Sequence, residues 1–116
     1  MPQFMLLLYA QEKVGLALPK ADMAAWMDKM HAYAQALEKA GAHVSHGALG
    51  ATPDATTVNL EDGEMRVHAG PFAETHEQLG GYYLIAAKDM SEAQQWAARC
   101  PAALWGHVEI RQIQPE

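Results

Sequence analysis

Two stretches decide the fold: Phe4-Met5-Leu6-Leu7-Leu8-Tyr9 near the start of the chain and Tyr82-Tyr83-Leu84-Ile85-Ala86-Ala87 in its second half. Each has the length of a β-strand, and each carries apolar residues at both odd and even positions. Because successive side chains of a strand point to opposite faces, both faces of these strands are expected to be buried. They are therefore predicted to be central strands of a sheet.

The segment that follows the first stretch predicts a long amphipathic helix. Apolar residues recur at helical spacing from Met23 to Leu37, and charged residues fall mainly between them. Pro19 suits a first helical turn, where its missing N–H is no loss, and Gly41 is a natural end signal. The helix is therefore expected to lie between Pro19 and Gly41.

The middle of the chain predicts a strand and a hairpin. Residues 42–49 have the pattern of a strand. Asp62-Gly63 then separates two alternating segments, residues 56–60 and 64–68, and Asp-Gly in that position is a strong hairpin signal. We therefore expect a β-hairpin inserted after the second strand.

The last third predicts one loop, one helix and one strand. Residues 70–81 have glycines at both ends and are expected to form an ordered loop with one helical turn. Ser91 and Gln94 match a capping box, and Pro101 ends the helix that they begin. Residues 107–113 alternate apolar and polar side chains in their first half, which predicts the final strand.

The resulting order is β-α-β, a hairpin, and β-α-β, in one domain that spans residues 1–116. A split βαβ repeat is the ferredoxin-like α+β arrangement, in which two helices cover one face of the sheet. The other face of the central strands still carries large apolar groups, and leaving such a surface in water is unfavourable. We therefore expect a homodimer in which a second copy covers the helix-free face.

Composition limits the classes of partner and the cellular compartment that are expected for this chain. The chain has 8 basic and 14 acidic residues and a formal charge of -6, which argues against nucleic-acid and anionic-membrane surfaces. The single cysteine, Cys100, cannot form an intramolecular disulfide, and this favours a reducing, cytoplasmic setting. The apolar start of the chain is far too short to span a membrane.

One motif has a specific resemblance. The segment Ala69-Gly70-Pro71-Phe72-Ala73-Glu74-Thr75-His76-Glu77-Gln78-Leu79-Gly80-Gly81 resembles the loop of the DGPF branch of the YCII-related family. The opening strand, the segment Ala55-Thr56-Thr57-Val58, and the closing helix and strand are also similar to that family. The resemblance covers essentially the whole chain.

The resemblance implies a dimeric ferredoxin-like α+β fold related to muconolactone-isomerase-like barrels. Function in that family is mostly unassigned. An acid/base role for a His or an Asp has been proposed in the wider family, and some DGPF proteins carry the label of transcription initiation protein. No cofactor is standard in the family, so none is expected here.

The sequence departs from the motif at two positions. Ala69 stands where the motif has Asp, and His76 stands where Lys is usual. The nearest groups that can carry a proton are His68 and Glu74, and these are the candidate catalytic residues. In a regular strand His68 and Ala69 point to opposite faces, so His68 can replace the missing acid only if the strand ends before it.

A pocket beside this loop is expected to hold the chemistry. Phe72 and Leu79 are expected to pack against the domain. No metal site is expected, since His43 and His46 have opposite strand parity and no Cys or carboxylate cluster joins them. The pocket lining is predicted to comprise Ala69, Gly70, Pro71, Phe72, Tyr83 and His107.

Two functions from different classes remain open. One is a cofactor-independent lyase or isomerase that acts on a small organic molecule by proton transfer. The alternative is a non-catalytic binding or regulatory protein associated with the transcription machinery. The loss of the motif Asp favours the binding or regulatory function, whereas the retention of the rest of the loop motif does not favour it.

Overall fold

The computed structural model describes residues 1–116 as a mixed α+β fold with six strands and three helices. The strands are β1 (Gln3–Ala10), β2 (His43–Ala48), β3 (Thr56–Glu61), β4 (Glu64–Ala69), β5 (Gln78–Ala86) and β6 (His107–Gln112). The helices are α1 (Glu12–Leu16), α2 (Lys20–Lys39) and α3 (Met90–Arg99), and two 3₁₀ turns lie at Thr52–Asp54 and Pro101–Leu104.

Four strands form the main sheet in the order β2-β5-β1-β6, and every neighbouring pair is antiparallel. The two stretches that are apolar on both faces occupy the two central places, β1 and β5, as predicted. The order and directions are compatible with a ferredoxin-like α+β fold. No helix is both long enough and apolar enough to cross a membrane.

The core lies between this sheet and the two longer helices. Phe4 and Leu6 on β1 and Ile85 on β5 are at most 1% exposed, and Leu37 of α2 is fully buried against them. Burying each such side chain contributes about 1.5–3 kcal/mol. Tyr33 belongs to the same core. Its hydroxyl is satisfied there, because it donates a hydrogen bond to the carbonyl oxygen of Trp96 at 2.7 Å.

One helix end agrees with the prediction from the sequence, and one differs from it. Gly41 takes φ +72° directly after α2, as its type predicts. The capping box predicted at Ser91 and Gln94 is wrong. Asp89 is the N-cap of α3, and its carboxylate accepts a hydrogen bond from the backbone N–H of Glu92 at 2.9 Å. A carboxylate accepts that bond as well as a hydroxyl does, so the helix begins two residues earlier than predicted.

The segment from 70 to 81 differs most from expectation. It contains no helical turn, and its last four residues belong to β5, which begins at Gln78 instead of Tyr82. Leu79 is half-buried, whereas Phe72 is 91% exposed, so the expected packing of its ring against the domain is wrong for the single chain. The ring lies beyond the base of a projecting hairpin, where nothing of the same chain covers it.

That hairpin, β3 and β4, forms a separate two-stranded sheet. Asp62 and Gly63 both take positive φ, 51° and 79°, as a tight hairpin turn requires. The domain measures 47 × 44 × 19 Å, and its radius of gyration is 16.1 Å. A compact chain of this length has a radius of about 13 Å. The molecule is therefore flat and extended.

The hairpin has one apolar face and one polar face. Three cross-strand pairs form the apolar face, which we call the ribbon face: Thr56 with Ala69, Val58 with Val67, and Leu60 with Met65. Its four larger apolar side chains are 54–71% exposed. An isolated two-stranded hairpin is marginally stable in water, so an apolar face of this kind needs a cover.

Candidate functional site

The two catalytic residues predicted from the sequence are both exposed in the single chain. His68 lies on the polar face of the hairpin, opposite Thr57, and is exposed. Glu74 is exposed in the segment after the hairpin. Neither side chain makes a hydrogen bond or an ion pair to another part of the chain. Their proposed role stays a prediction.

The predicted pocket residues of the motif mainly shape the base of the hairpin. Ala69 is exposed on the ribbon face, and Pro71 is half-buried. Gly70 is buried, and its φ of +118° favours glycine. Its N–H donates to the carbonyl oxygen of Ala55 at 2.7 Å, and its own carbonyl accepts from the Thr57 hydroxyl at 2.9 Å.

His107 pairs with an acid. Its Nδ1 lies 2.8 Å from a carboxylate oxygen of Glu77, and its side chain is 81% exposed. An ion pair at such an exposed site contributes about 0–1 kcal/mol. Of the predicted pocket residues, Tyr83 alone lines the cleft described next.

A cleft separates the N-terminal half of α2 from the sheet. It consists of two adjoining cavities of about 380 and 220 Å³, which share Leu8, Met30 and Gly80. The larger cavity, the imidazole end, has His31, His46 and Tyr83 in its wall. The smaller one, the tryptophan end, has Trp26, Trp105 and Gln78. Mostly apolar concavities of this size with a few polar groups are typical of small-molecule sites.

The floor of the cleft is built from glycines. Leu8 pairs with Gly81 and Tyr9 with Leu79, so Gly80 is an extra, bulged residue of β5. A Cβ atom added to Gly80 would meet nothing within 4 Å, whereas one added to Gly81 would lie 2.9 Å from the carbonyl oxygen of Gly47. The Gly-Gly of the motif therefore has two roles: Gly81 allows two strands to approach, and Gly80 leaves the cleft open.

A second bulge brings two histidines together. Between His43 and Ser45 the register of β2 shifts, so that His43 pairs with Ile85 and His46 pairs with Tyr83. Ile85 and Tyr83 both face the helices, and the two imidazoles therefore share that side. His43 Nε2 lies 2.7 Å from His46 Nδ1. The expectation that these histidines do not face one another is wrong, because a bulge changes strand parity.

The geometry of this pair suits proton transfer. A hydrogen bond between two imidazoles needs one ring as donor and the other as acceptor, so at least one ring is neutral while the bond lasts. His46 also stacks on the ring of Tyr83, with centroids 5.3 Å apart and planes at 28°. Its Nε2 has no hydrogen-bond partner in the protein. His46 is thus held by His43 and Tyr83 at the cleft wall, with one nitrogen free.

Tyr83 itself is not a base at neutral pH. Burial, and then the nearby Cys100 thiol, raise the pKa of Tyr83 from 10.0 to about 12. Its hydroxyl donates a long hydrogen bond, 3.5 Å, to the carbonyl oxygen of Met30. The phenol therefore stays protonated and provides a flat surface for His46.

The tryptophan end is shaped by α1, a helix that sequence reasoning missed. The backbone N–H of Glu12 donates to the side-chain oxygen of Gln78 at 2.9 Å. The Glu12 carboxylate accepts bonds from the Thr52 backbone N–H at 2.8 Å and from its hydroxyl at 2.7 Å. Trp26 and Trp105 lie with ring centroids 3.9 Å apart and planes tilted by 33°.

Sequence reasoning also missed the cleft, although two signals pointed to it. Glycine inside a strand marks a bulge or a close approach, and Gly80-Gly81 directly precedes the apolar stretch of β5. His43 and His46 were the second signal, since a bulge brings residues of opposite parity together. No three His, Cys, Asp or Glu side chains stand close enough together to hold a metal ion.

Two comparisons place the chain among known proteins. The family model described as "YCII-related domain" matches residues 2–116. An uncharacterized protein of Rhizobium meliloti (strain 1021) is 35% identical over 94 residues, which cover 81% of this chain and 76% of that protein. The match to the family model spans every element described above, from β1 to β6. The chain therefore belongs to the YCII-related domain family.

Proposed function

We propose that the protein binds a small organic molecule in the cleft and catalyses a cofactor-independent proton transfer, as an isomerase or lyase. His46 is the acid/base group, and His43 positions it. The observation that carries this proposal is the 2.7 Å bond between the two imidazoles beside a cavity of about 380 Å³.

The chemistry follows from the free nitrogen of His46. Neutral Nε2 accepts a proton from a carbon next to a carbonyl or lactone group, and the C–H electron pair moves into an enolate. The imidazolium then returns the same proton to another carbon of the conjugated system, which shifts a double bond without net oxidation. His43 stabilises the charged ring by accepting the hydrogen bond from its Nδ1–H. A positioned base of this kind contributes about 10²–10⁴-fold to the rate.

The test is proton exchange in D₂O, followed by NMR over small lactones, keto acids and phenols. Wild type is expected to exchange carbon-bound hydrogen of at least one compound, and His46→Gln is expected to lose about 10²-fold or more of that rate. His43→Gln is expected to show an intermediate loss. The matched control is His68→Gln, which changes an exposed histidine outside the cleft. A loss in His68→Gln and none in His46→Gln would return the chemistry to His68 and Glu74.

The alternative is a binding or regulatory protein without catalysis, including one associated with the transcription machinery. The exposed ribbon face is the observation that favours it, because such a face fits a different protein in place of a second copy of this chain. Absence of exchange from every compound, together with capture of a defined protein partner that Val67→Asp abolishes, would support this alternative.

We also propose that the protein is a homodimer. The helix-free face of the main sheet carries Met5 and Leu7 of β1 and Leu84 of β5, all half-buried in the single chain. The ribbon face is a second uncovered apolar surface of the same chain. A second copy carries the same two apolar surfaces. In a two-fold symmetric dimer, each of these surfaces is covered in both protomers.

A further inference from the structure

We infer that the tryptophan end of the cleft is a recognition subsite for a flat aromatic group of the ligand, and that the ligand carries no phosphate. This inference rests on the proposed function, since it assigns the second half of the same cleft. The proton-transfer group lies at the imidazole end, and the tryptophan end selects the molecule.

The walls of the tryptophan end match an aromatic group. Trp26 and Trp105 supply two indole rings, and Leu8 and Met30 supply flexible apolar contacts. All four are half-buried in the single chain, so each still has surface to offer a ligand. Aromatic rings favour offset or tilted contacts with other rings, and methionine adapts to their edges. The cavity of about 220 Å³ has the size of one or two fused rings.

The polar groups of the cleft argue against phosphate. Neither cavity has a lysine or an arginine in its wall. Glu12 adds a negative charge at the tryptophan end, and the whole chain carries a formal charge of -6. Phosphate groups are bound by arginine, lysine or the N-termini of helices, through charge-assisted hydrogen bonds. Although α1 begins in the wall of the tryptophan end, the N–H of Glu12 already donates to Gln78, and the Glu12 carboxylate repels an anion there. Nucleotides and sugar phosphates are therefore disfavoured, whereas a phenol or a lactone fits.

Gly80 lies where the two ends of the cleft meet. It lies in the walls of both cavities, and a Cβ atom there meets nothing within 4 Å. A larger side chain at this position therefore fits without a clash against the backbone, and because Gly80 lines both cavities we expect it to narrow the cleft. Gly50 is a matched control, because its Cβ also meets nothing within 4 Å and it lines neither cavity.

The experiment measures binding of 2-naphthol and of 2-naphthyl phosphate by calorimetry and by quenching of tryptophan fluorescence. Wild type is expected to bind 2-naphthol at least 10-fold more tightly than the phosphate. Gly80→Leu is expected to weaken 2-naphthol binding at least 10-fold, and Gly50→Leu less than 2-fold. Trp26→Leu provides a second variant that removes one ring of the subsite and is expected to weaken binding at least 5-fold. Circular dichroism confirms that each variant is folded.

The outcomes separate this inference from the proposed function. Equal affinity for the two compounds, or binding unchanged in both Gly80→Leu and Trp26→Leu, overturns the subsite even if proton exchange is observed. Naphthol binding that Gly80→Leu blocks, with no exchange from any compound, supports the subsite and removes the catalytic role of His46.

Discussion

A charge on the ribbon face is predicted to break the homodimer. Val58 pairs with Val67 across the hairpin and is 54% exposed in the single chain, so about half of its surface is available to a partner. Val58→Asp places a carboxylate at the centre of that face. Its neighbour Asn59 lies on the opposite, polar face of the same strand, and Asn59→Asp adds the same charge there.

The magnitude follows from the exposed fraction. Full burial of a valine side chain contributes about 1.5–3 kcal/mol, so covering the exposed half contributes about 1 kcal/mol in each protomer. A symmetric dimer contains the residue twice, which gives about 2 kcal/mol and a roughly 30-fold change in Kd. Dehydration of the introduced carboxylate adds to this value.

Sedimentation velocity between 1 and 100 µM measures the effect. Wild type and Asn59→Asp are expected to sediment as dimers, and Val58→Asp is expected to shift to monomer at the lower concentrations. A dimer of unchanged Kd in Val58→Asp would show that the ribbon face lies outside the interface. A wild type that is monomeric throughout would refute the dimer itself.

The remaining predictions concern stability. Burial raises the pKa of the Cys100 thiol from 9.0 to about 11 and that of Tyr83 from 10.0 to about 12, so the fold favours both neutral forms. As the pH rises, these groups lose their protons at a lower pH in the unfolded chain than in the folded chain. Their contribution to the free energy of unfolding is therefore fully present below about pH 9 and is lost as the pH rises towards 12. Urea midpoints at pH 8 and pH 10.5 measure this, and a midpoint that does not fall contradicts it. Asp89→Ala removes the N-cap of α3 and is expected to cost about 1 kcal/mol by urea unfolding, whereas Ser91→Ala is expected to cost under about 0.5 kcal/mol. Equal losses in the two variants would refute the assignment of the cap.

The sequence predicts the central architecture well because the strongest signals are long and periodic. Phe4–Tyr9 and the apolar stretch at 82–87 form the two central strands, and Gly41 and Asp62-Gly63 mark the ends and turns that they indicate. These features depend on local backbone geometry and on burial of a whole face, and both can be inferred from residue type alone.

The candidate site was harder to predict because single-residue irregularities build it. One bulge at Gly80 opens the cleft, and another between His43 and Ser45 places two imidazoles on one side. When two residues lie on either side of a bulge, strand parity predicts the wrong face of the sheet for one of them. Phe72 is a different kind of case: its size predicts burial, but the hairpin before it projects from the domain, so no part of the same chain can cover it.

The six histidines test directly whether the cleft under α2 is the ligand site. Long-range ¹H–¹⁵N spectra resolve each imidazole and report its tautomer and hydrogen bonding. On titration with 2-naphthol, the signals of His31, His43 and His46 are expected to move together, and that of His68 to stay within the noise. His76 contacts Gln11 and His107 pairs with Tyr9, both in the wall of the tryptophan end, so these two histidines are not controls. Shifts confined to His68 would place the ligand beside the hairpin and would contradict a ligand site in the cleft.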